Sequence, residues 1–310
     1  LLEGSPGFFA IQARRQPFDG SARAAPRCLL SATKGCVPDS PPSAILERMR
    51  KRWVIKAGSN IIVRGGPLLL RSWMQQVASL LKHHDTEVIW VTSGAIATAV
   101  ERTQLQRTRK LLSEKQALSA IGQPLMMDLY NLALGAVGLL GAQVLLTYDD
   151  LKHRERRRNF QNTLEKLLSW GATPILNEND AIATEEIQFG DNDSLSAKVA
   201  IALNADRLVI LTDVDGLFDK DPRLHPDARL LHELHGVARQ LLAQTEKTAG
   251  SGRGTGGMYS KLMASREANR AGIETWLARG DHPSVLLEIA ANQSTGTRIL
   301  PKEPRRDRRR

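Results

Sequence analysis

From about residue 53 to residue 300, short apolar runs alternate with segments whose apolar side chains recur at helical spacing. Trp53–Ala57, Val88–Thr92, Gln143–Thr147, Thr173–Asn177, Arg207–Thr212 and Ile273–Leu277 are the short runs. Each is too brief for a helix and is rich in the residue types that favour strands. Between them, Leu68–Lys82, Glu114–Tyr130, Asn159–Trp170, Ser194–Ala205 and Ser260–Ala271 read as helices. Gly171 and Gly272 stand where a helix stop is expected, and Ser93-Gly94-Ala95 is a small-residue turn that opens a further helix. Strands alternating with helices predict an α/β fold with a mostly parallel sheet. In such a sheet, ligands bind beyond the carboxyl ends of the strands.

Outside that stretch the pattern stops. Residues 1–48 are rich in Ser, Ala, Pro, Gly and Arg without a sustained apolar period. They read as a disordered or non-native N-terminal extension, although scattered Arg and few acids also describe an organellar transit peptide. Met49 leads into the first ordered stretch, and residues 301–310 read as a basic tail ending in Arg. The body is thus residues 49–300.

This division changes the meaning of the charge. The chain of 310 residues carries a formal +10. Residues 1–52 contribute nine basic and four acidic side chains and residues 301–310 six and two, which leaves 28 against 27 in between. A nucleic-acid-binding domain needs its basic excess clustered on the folded part, so nucleic acid is not the expected partner. No apolar run reaches the roughly 18 residues of a membrane span. Both cysteines, Cys28 and Cys36, precede the body. The body therefore lacks a disulfide, a thiolate metal site and a cysteine nucleophile, which suits a reducing cytosol. The adjacent His83 and His84 read as a solvated helix end.

Unusual residues collect at the strand ends. Lys56-Ala57-Gly58-Ser59-Asn60 follows the first strand, where a lysine and freed backbone N–H groups can meet phosphate oxygens. Taken alone it is also an ordinary turn. Thr92-Ser93-Gly94-Ala95 offers hydroxyls and N–H donors, or only a helix cap. Asn177-Glu178-Asn179-Asp180 can form a turn or grip a polar substrate, with Asp180 suited to an ammonium group or a hydroxyl. In Gly190-Asp191-Asn192-Asp193-Ser194, capping explains one carboxylate but not the series. Those side chains can bind Mg²⁺, orient lysines or hold an amino acid. Thr212-Asp213-Val214-Asp215-Gly216 fits adenine or ribose contacts, or a plain Asp-Gly turn. Gly252-Arg253-Gly254-Thr255-Gly256-Gly257-Met258-Tyr259-Ser260-Lys261 is a glycine-rich loop leading into a helix with a lysine in its first turn. It does not match the Walker A pattern. Two lysines, glycine turns and carboxylates at successive strand ends together describe phosphoryl transfer.

In these segments the chain resembles the amino acid kinase family, within it the members that phosphorylate glutamate. Val91–Ala97 is similar to that family's substrate loop, and Lys115-Gln116-Ala117-Leu118 with Gly122-Gln123 to the helix that follows it. Asn177–Asp180, Gly190–Asp193 and Gly254–Lys261 recur in order, and the resemblance spans about Trp53 to Leu300. It implies a three-layer α/β/α sandwich and transfer of the ATP γ-phosphate, with Mg²⁺, to the γ-carboxylate of L-glutamate. That reaction opens proline synthesis and is commonly inhibited by proline. It implies that Lys56 and Lys261 hold phosphate oxygens while Asp193 orients them. Ser93, Asp180 and Asn192 would hold glutamate. Lys56, Thr212, Asp213 and the loop Thr255, Gly256, Gly257, Met258, Tyr259, Ser260 and Lys261 would hold ATP. No protein ligand to the metal is implied beyond the ATP phosphates. A homodimer or homotetramer in the cytoplasm is also implied. Many members carry a C-terminal PUA domain, which is expected to be absent or truncated here. The chain departs from the usual pattern at Thr98-Ala99, Gln188 and Ser194. The alternatives are a sibling kinase with another acceptor, or a non-catalytic regulatory or RNA-associated protein on the same fold.

Overall fold

The computed structural model describes residues 50–105, 111–183, 192–222, 224–248 and 257–302. The expectations for residues 1–48, for Gln188, Gly190 and Asp191, for Gly252–Gly256 and for residues 303–310 lie outside the described residues. The first half runs β1 (Lys51–Ala57), α1 (Ser59–His83), β2 (Thr86–Val91), α2 (Ala95–Thr103), α3 (Leu112–Gly135), β3 (Leu140–Leu146), α4 (Tyr148–Lys152), α5 (Arg154–Ser169) and β4 (Ala172–Glu178). The second half runs α6 (Asn192–Ala202), β5 (Arg207–Thr212), β6 (Glu233–His235), α7 (Arg239–Thr248), α8 (Met258–Arg270), β7 (Glu274–Arg279), α9 (Val285–Ala290) and β8 (Thr297–Leu300).

Among the described residues, eight strands form one sheet in the order β3-β4-β2-β1-β5-β7-β8-β6. All pairings are parallel except β7 with β8. The central strands are covered on both faces, which is why they read as nearly unbroken apolar runs. Successive side chains point to opposite faces. Trp53, Ile55 and Ala57 of β1 join a core with Trp73 and Leu80 of α1, Met126 and Tyr130 of α3 and Ile289 of α9. Val54 joins the opposite core with Leu164 of α5, Leu195 of α6 and Leu262 of α8. Helices therefore lie on both sides of the sheet, the three-layer arrangement expected.

Some boundaries move. The first helix begins at Ser59, not Leu68, and is interrupted at Gly66, whose φ of 55° and ψ of −156° are non-helical. Pro67 cannot donate the helical N–H, and the Gly65-Gly66 pair hides the apolar period upstream of it. The elements absent from the sequence reading, α4, α9, β6 and β8, are three to six residues long, too short to carry a readable period. The ten-residue α7 also escaped, being of mixed polarity. His83 closes α1, and both it and His84 are exposed.

Candidate active site

The chain leaves β1 for β2 and β4 on one side and returns to β5 on the other. The crevice beyond the carboxyl ends of β1 and β5 is the topological switch point, where open α/β sheets bind ligands. Lys56 lies there. It shares register parity with Val54, so its side chain points to the α6–α8 face and is only 3% exposed. Gly58 caps α1 in an extended conformation, and a Cβ there would stand 3.7 Å from the Lys56 ammonium and 3.8 Å from the Leu211 carbonyl oxygen.

Three charged side chains meet in this crevice. Lys56 Nζ lies 2.5 Å from Asp193 Oδ1, and Lys261 Nζ lies 3.1 Å from Asp193 Oδ2. Ser260 Oγ donates to Asp193 Oδ2 at 2.8 Å. Asp193 is in the first turn of α6 and fully buried. Burial opposes its ionisation, but the ammonium groups of Lys56 and Lys261, with the Lys56 and Ser260 bonds, outweigh it and hold the carboxyl below its ordinary range. The position near a helix N-terminus favours the anion too. The two ammonium groups and one carboxylate sum to one positive charge. The arrangement can offset negative charge entering the crevice without fixing it too tightly in advance.

A second group of side chains continues from Asp193. The Asn192 amide donates to the Thr92 carbonyl, to Ser93 Oγ at 3.0 Å and to Asn177 Oδ1 at 2.6 Å. Asn177 in turn donates to Gln123 Oε1 at 2.7 Å. Asn192 therefore ties the ends of β2 and β4 to the start of α6. Gln123 opens onto a cavity of about 230 Å³ lined by Ser119, Gln143, Glu178, Asn179 and Asp180 among others. Its Nε2 is buried without a hydrogen-bond partner among the described residues. Ser119 donates to Asp180 at 3.2 Å. Burial raises the Asp180 carboxyl above its ordinary value, against the Ser119 bond and the charge of Lys115. Such a carboxylate gains by pairing with a cation.

The loop carrying Ser93 is held from below. Gly94 has φ 105° at the N-cap of α2, a conformation L side chains rarely adopt. Gly122 of α3 packs so closely that a Cβ there would stand 1.8 Å from the Ala95 carbonyl oxygen.

On the β5 side, Thr212 ends its strand 4% exposed, donates to Asp213 Oδ1 at 3.3 Å and accepts the Gly280 N–H at 2.9 Å. Gly257 caps α8 without a side-chain cap bond, and the start of a helix is suited to anions. Met258 and Tyr259 pack partly against the α6–α8 core. Thr255 and Gly256 lie outside the described residues, as does Asp191.

Lys56, Asp193 and Lys261 are thus brought into contact, as are Ser93 and Asn192, with Asp180 reached through Asn177 and Gln123. Thr212 and Asp213 close the neighbouring strand. Ser119 and Gln143 were not singled out as site residues in the sequence, and Gln123 was named only within the Gly122-Gln123 segment of the resemblance. A signal existed: Lys115, Ser119 and Gln123 repeat every fourth residue along one face of the helix.

An open, mostly parallel sheet with two buried ammonium groups bridged by a carboxylate, and no Walker motif, defines an α/β phosphotransferase. Residues 51–279 match the family model described as Amino acid kinase family, and the chain belongs to that family. It is 42% identical over 254 residues to a glutamate 5-kinase of Caldanaerobacter subterraneus subsp. tengcongensis, covering 81% of this chain and 68% of that protein. It is 40% identical over 260 residues to a glutamate 5-kinase of Clostridium perfringens, covering 82% and 96%. Among solved structures, carbamate kinase from Giardia lamblia bound to AMP-PNP aligns with a TM-score of 0.56 at 15% identity over 81% of this chain and 98% of that one. Aspartate kinase from Synechocystis aligns with a TM-score of 0.57 at 19% identity, over 83% and 40%. At those identities the two structures establish the fold.

Proposed function

We propose that the protein is a glutamate 5-kinase, transferring the γ-phosphoryl group of ATP to the γ-carboxylate of L-glutamate. The observation that carries the reading is the buried Lys56–Asp193–Lys261 cluster beside an acidic cavity, in a chain whose relatives are glutamate 5-kinases. A γ-carboxylate oxygen attacks the γ-phosphorus, the bond to the β,γ-bridging oxygen breaks, and ADP leaves with L-glutamyl 5-phosphate as the other product. The nucleophile is ionised at neutral pH, with a reference pKa of about 4.3, so no general base is required. What the reaction needs is alignment and relief of repulsion between two anions.

Lys56 and Lys261 offset the charge of the transferring group, and Asp193, with Ser260, sets their positions. Ser93 and Asn192 orient the acceptor, while Asp180 pairs with its ammonium group. Thr212, Asp213 and the segment Gly257–Lys261, continuing the loop of Thr255 and Gly256, hold the nucleotide. When bound, Mg²⁺ neutralises phosphate charge. The Asp193 carboxylate already meets Lys56, Lys261 and Ser260, so its charge is committed to those partners. This donor set fits an ion carried by the phosphates.

The reaction is the first step of proline biosynthesis, and proline is the expected feedback inhibitor. A homo-oligomer forms through α3 and the edge strand β3, where Leu132 and Leu140 are 72% and 66% exposed. Among the described residues no helix is long and apolar enough to cross a membrane, and we place the enzyme in the cytoplasm with residues 49–300 as its kinase domain.

The test is ADP release by the full chain with ATP and Mg²⁺ over a panel of glutamate, aspartate, N-acetylglutamate and carbamate. Preference for glutamate is expected. Preference for another acid moves the protein to a sibling kinase, and ATP binding without turnover favours the regulatory alternative.

A further inference from the structure

Tyr130 is fully buried in the core, far from any role in ligand contact, yet it carries a hydroxyl. Its ring packs edge-on against Trp90, with centroids 6.3 Å apart, and Trp90 packs on Trp73 at 5.4 Å. A phenylalanine would serve that packing equally well. The hydroxyl is instead engaged at both ends. Trp90 Nε1–H donates to it at 2.9 Å, and it lies 2.9 Å from Thr92 Oγ1.

These bonds have a direction. The indole N–H can only donate, so it takes the phenol oxygen as an acceptor; in the Tyr130–Thr92 pair either hydroxyl can donate, and with the phenol as donor each proton of the chain has an acceptor. Thr92 then directs its own proton to the Ser93 carbonyl at 3.3 Å or to Met126 Sδ at 3.6 Å. Burial pushes the Tyr130 phenol up, against its bonds to Thr92 and Trp90, so the donor stays protonated. Thr92 is the last residue before the acceptor loop. Its N–H donates to the Leu176 carbonyl at 2.8 Å, and its own carbonyl accepts the amide of Asn192.

We infer that Tyr130 is a positioning residue: through Trp90 and Thr92 it locks the backbone at Thr92–Ser93 and so sets where Ser93 and Asn192 meet the acceptor. This rests on the functional reading above only for the identity of that acceptor. A buried donor left without its partner is costly. In this relay that cost is expressed in the conformation of the loop and not only in the stability of the core.

The test compares full-length wild type with Tyr130→Phe, Thr92→Val and Thr92→Ser. Amide exchange at residue 92 and at Thr98, whose N–H groups donate to the Leu176 and Gly94 carbonyls, is expected to accelerate about tenfold in Tyr130→Phe and Thr92→Val. The glutamate KM is expected to rise about fivefold or more in both, with the ATP KM unchanged within about twofold. Thr92→Ser, which keeps the hydroxyl, restores both readouts, and Tyr130→Phe combined with Thr92→Val is no worse than either alone. Unchanged exchange in Tyr130→Phe overturns the inference, and so does faster exchange with equal shifts in both KM values. If wild type fails to turn over glutamate, the functional reading falls, while the exchange measurement still decides whether Tyr130 holds the loop.

Discussion

Substituting Gly122 by alanine adds one methyl group at the tightest helix contact beneath the acceptor loop. The new Cβ would lie 1.8 Å from the Ala95 carbonyl oxygen, 2.6 Å from its carbonyl carbon and 3.0 Å from the Ala99 nitrogen. Carbon and oxygen in weak contact settle near 3.3 Å or beyond, so α2 must retreat by about 1.5 Å. All three obstructing atoms are backbone, so no side-chain rotation relieves them. Overpacking of this kind costs about 1–3 kcal/mol, and the higher helix propensity of alanine returns at most about 1 kcal/mol. A net loss of about 1–2 kcal/mol lowers Tm by about 2–8 °C in a domain of this size. The functional effect is larger, because α2 begins immediately after Ser93-Gly94, and a misplacement of about 1 Å can cost about 100-fold in rate. Calorimetry with glutamate-dependent kinetics measures both. Gly135→Ala is the control: it sits in the same helix with nothing within 4 Å of its Cβ, and it is expected to be neutral or mildly stabilising. A Gly122→Ala enzyme with wild-type Tm and glutamate kcat/KM would refute the claim that this contact sets the loop.

Replacing Asp193 by asparagine leaves the Lys56 and Lys261 ammonium groups buried against a neutral amide, and a loss of about 3–5 kcal/mol is expected by denaturant titration. Because the native carboxyl is held below its ordinary 3.8, its stabilisation is fully present above that value and is lost as pH falls through the lower native pKa; the variant should lack this acid-side loss. Lys261→Ala is expected to lower kcat by about 100- to 1000-fold while circular dichroism stays native, and near-normal turnover would remove the lysine from the mechanism. Asp180 must be ionised to meet the acceptor ammonium and its pKa is raised by burial, so kcat/KM for glutamate should climb as pH rises through that raised value and then level. Asp180→Asn should abolish this limb and cost about 1.5–3 kcal/mol of acceptor binding, as read from KM.

Much of this site was legible before any coordinates. Lys56, Asp193 and Lys261 announced themselves as charges at strand ends and helix starts, where side chains are committed to a crevice and not to a core. Asn192 was legible as part of a polar series too long for capping. Less visible was what lies under them. Gly122 looks like any helical glycine until the 1.8 Å approach of Ala95 is known, and Tyr130 reads as core because its only polar atom is satisfied inside the protein. Periodicity gives the face a residue occupies and says nothing of which backbone comes near it. The Gly66 kink escaped for a related reason: a break in the apolar pattern marks a helix end and a helix bend alike.

The most direct measurement is the trapping of the acyl phosphate by hydroxylamine. With the full chain, ATP, Mg²⁺ and L-glutamate, the account predicts γ-glutamyl hydroxamate and ADP in equal amounts, both abolished by omitting glutamate and both strongly reduced in Lys261→Ala. ADP formed without hydroxamate, or at the same rate without glutamate, would contradict it.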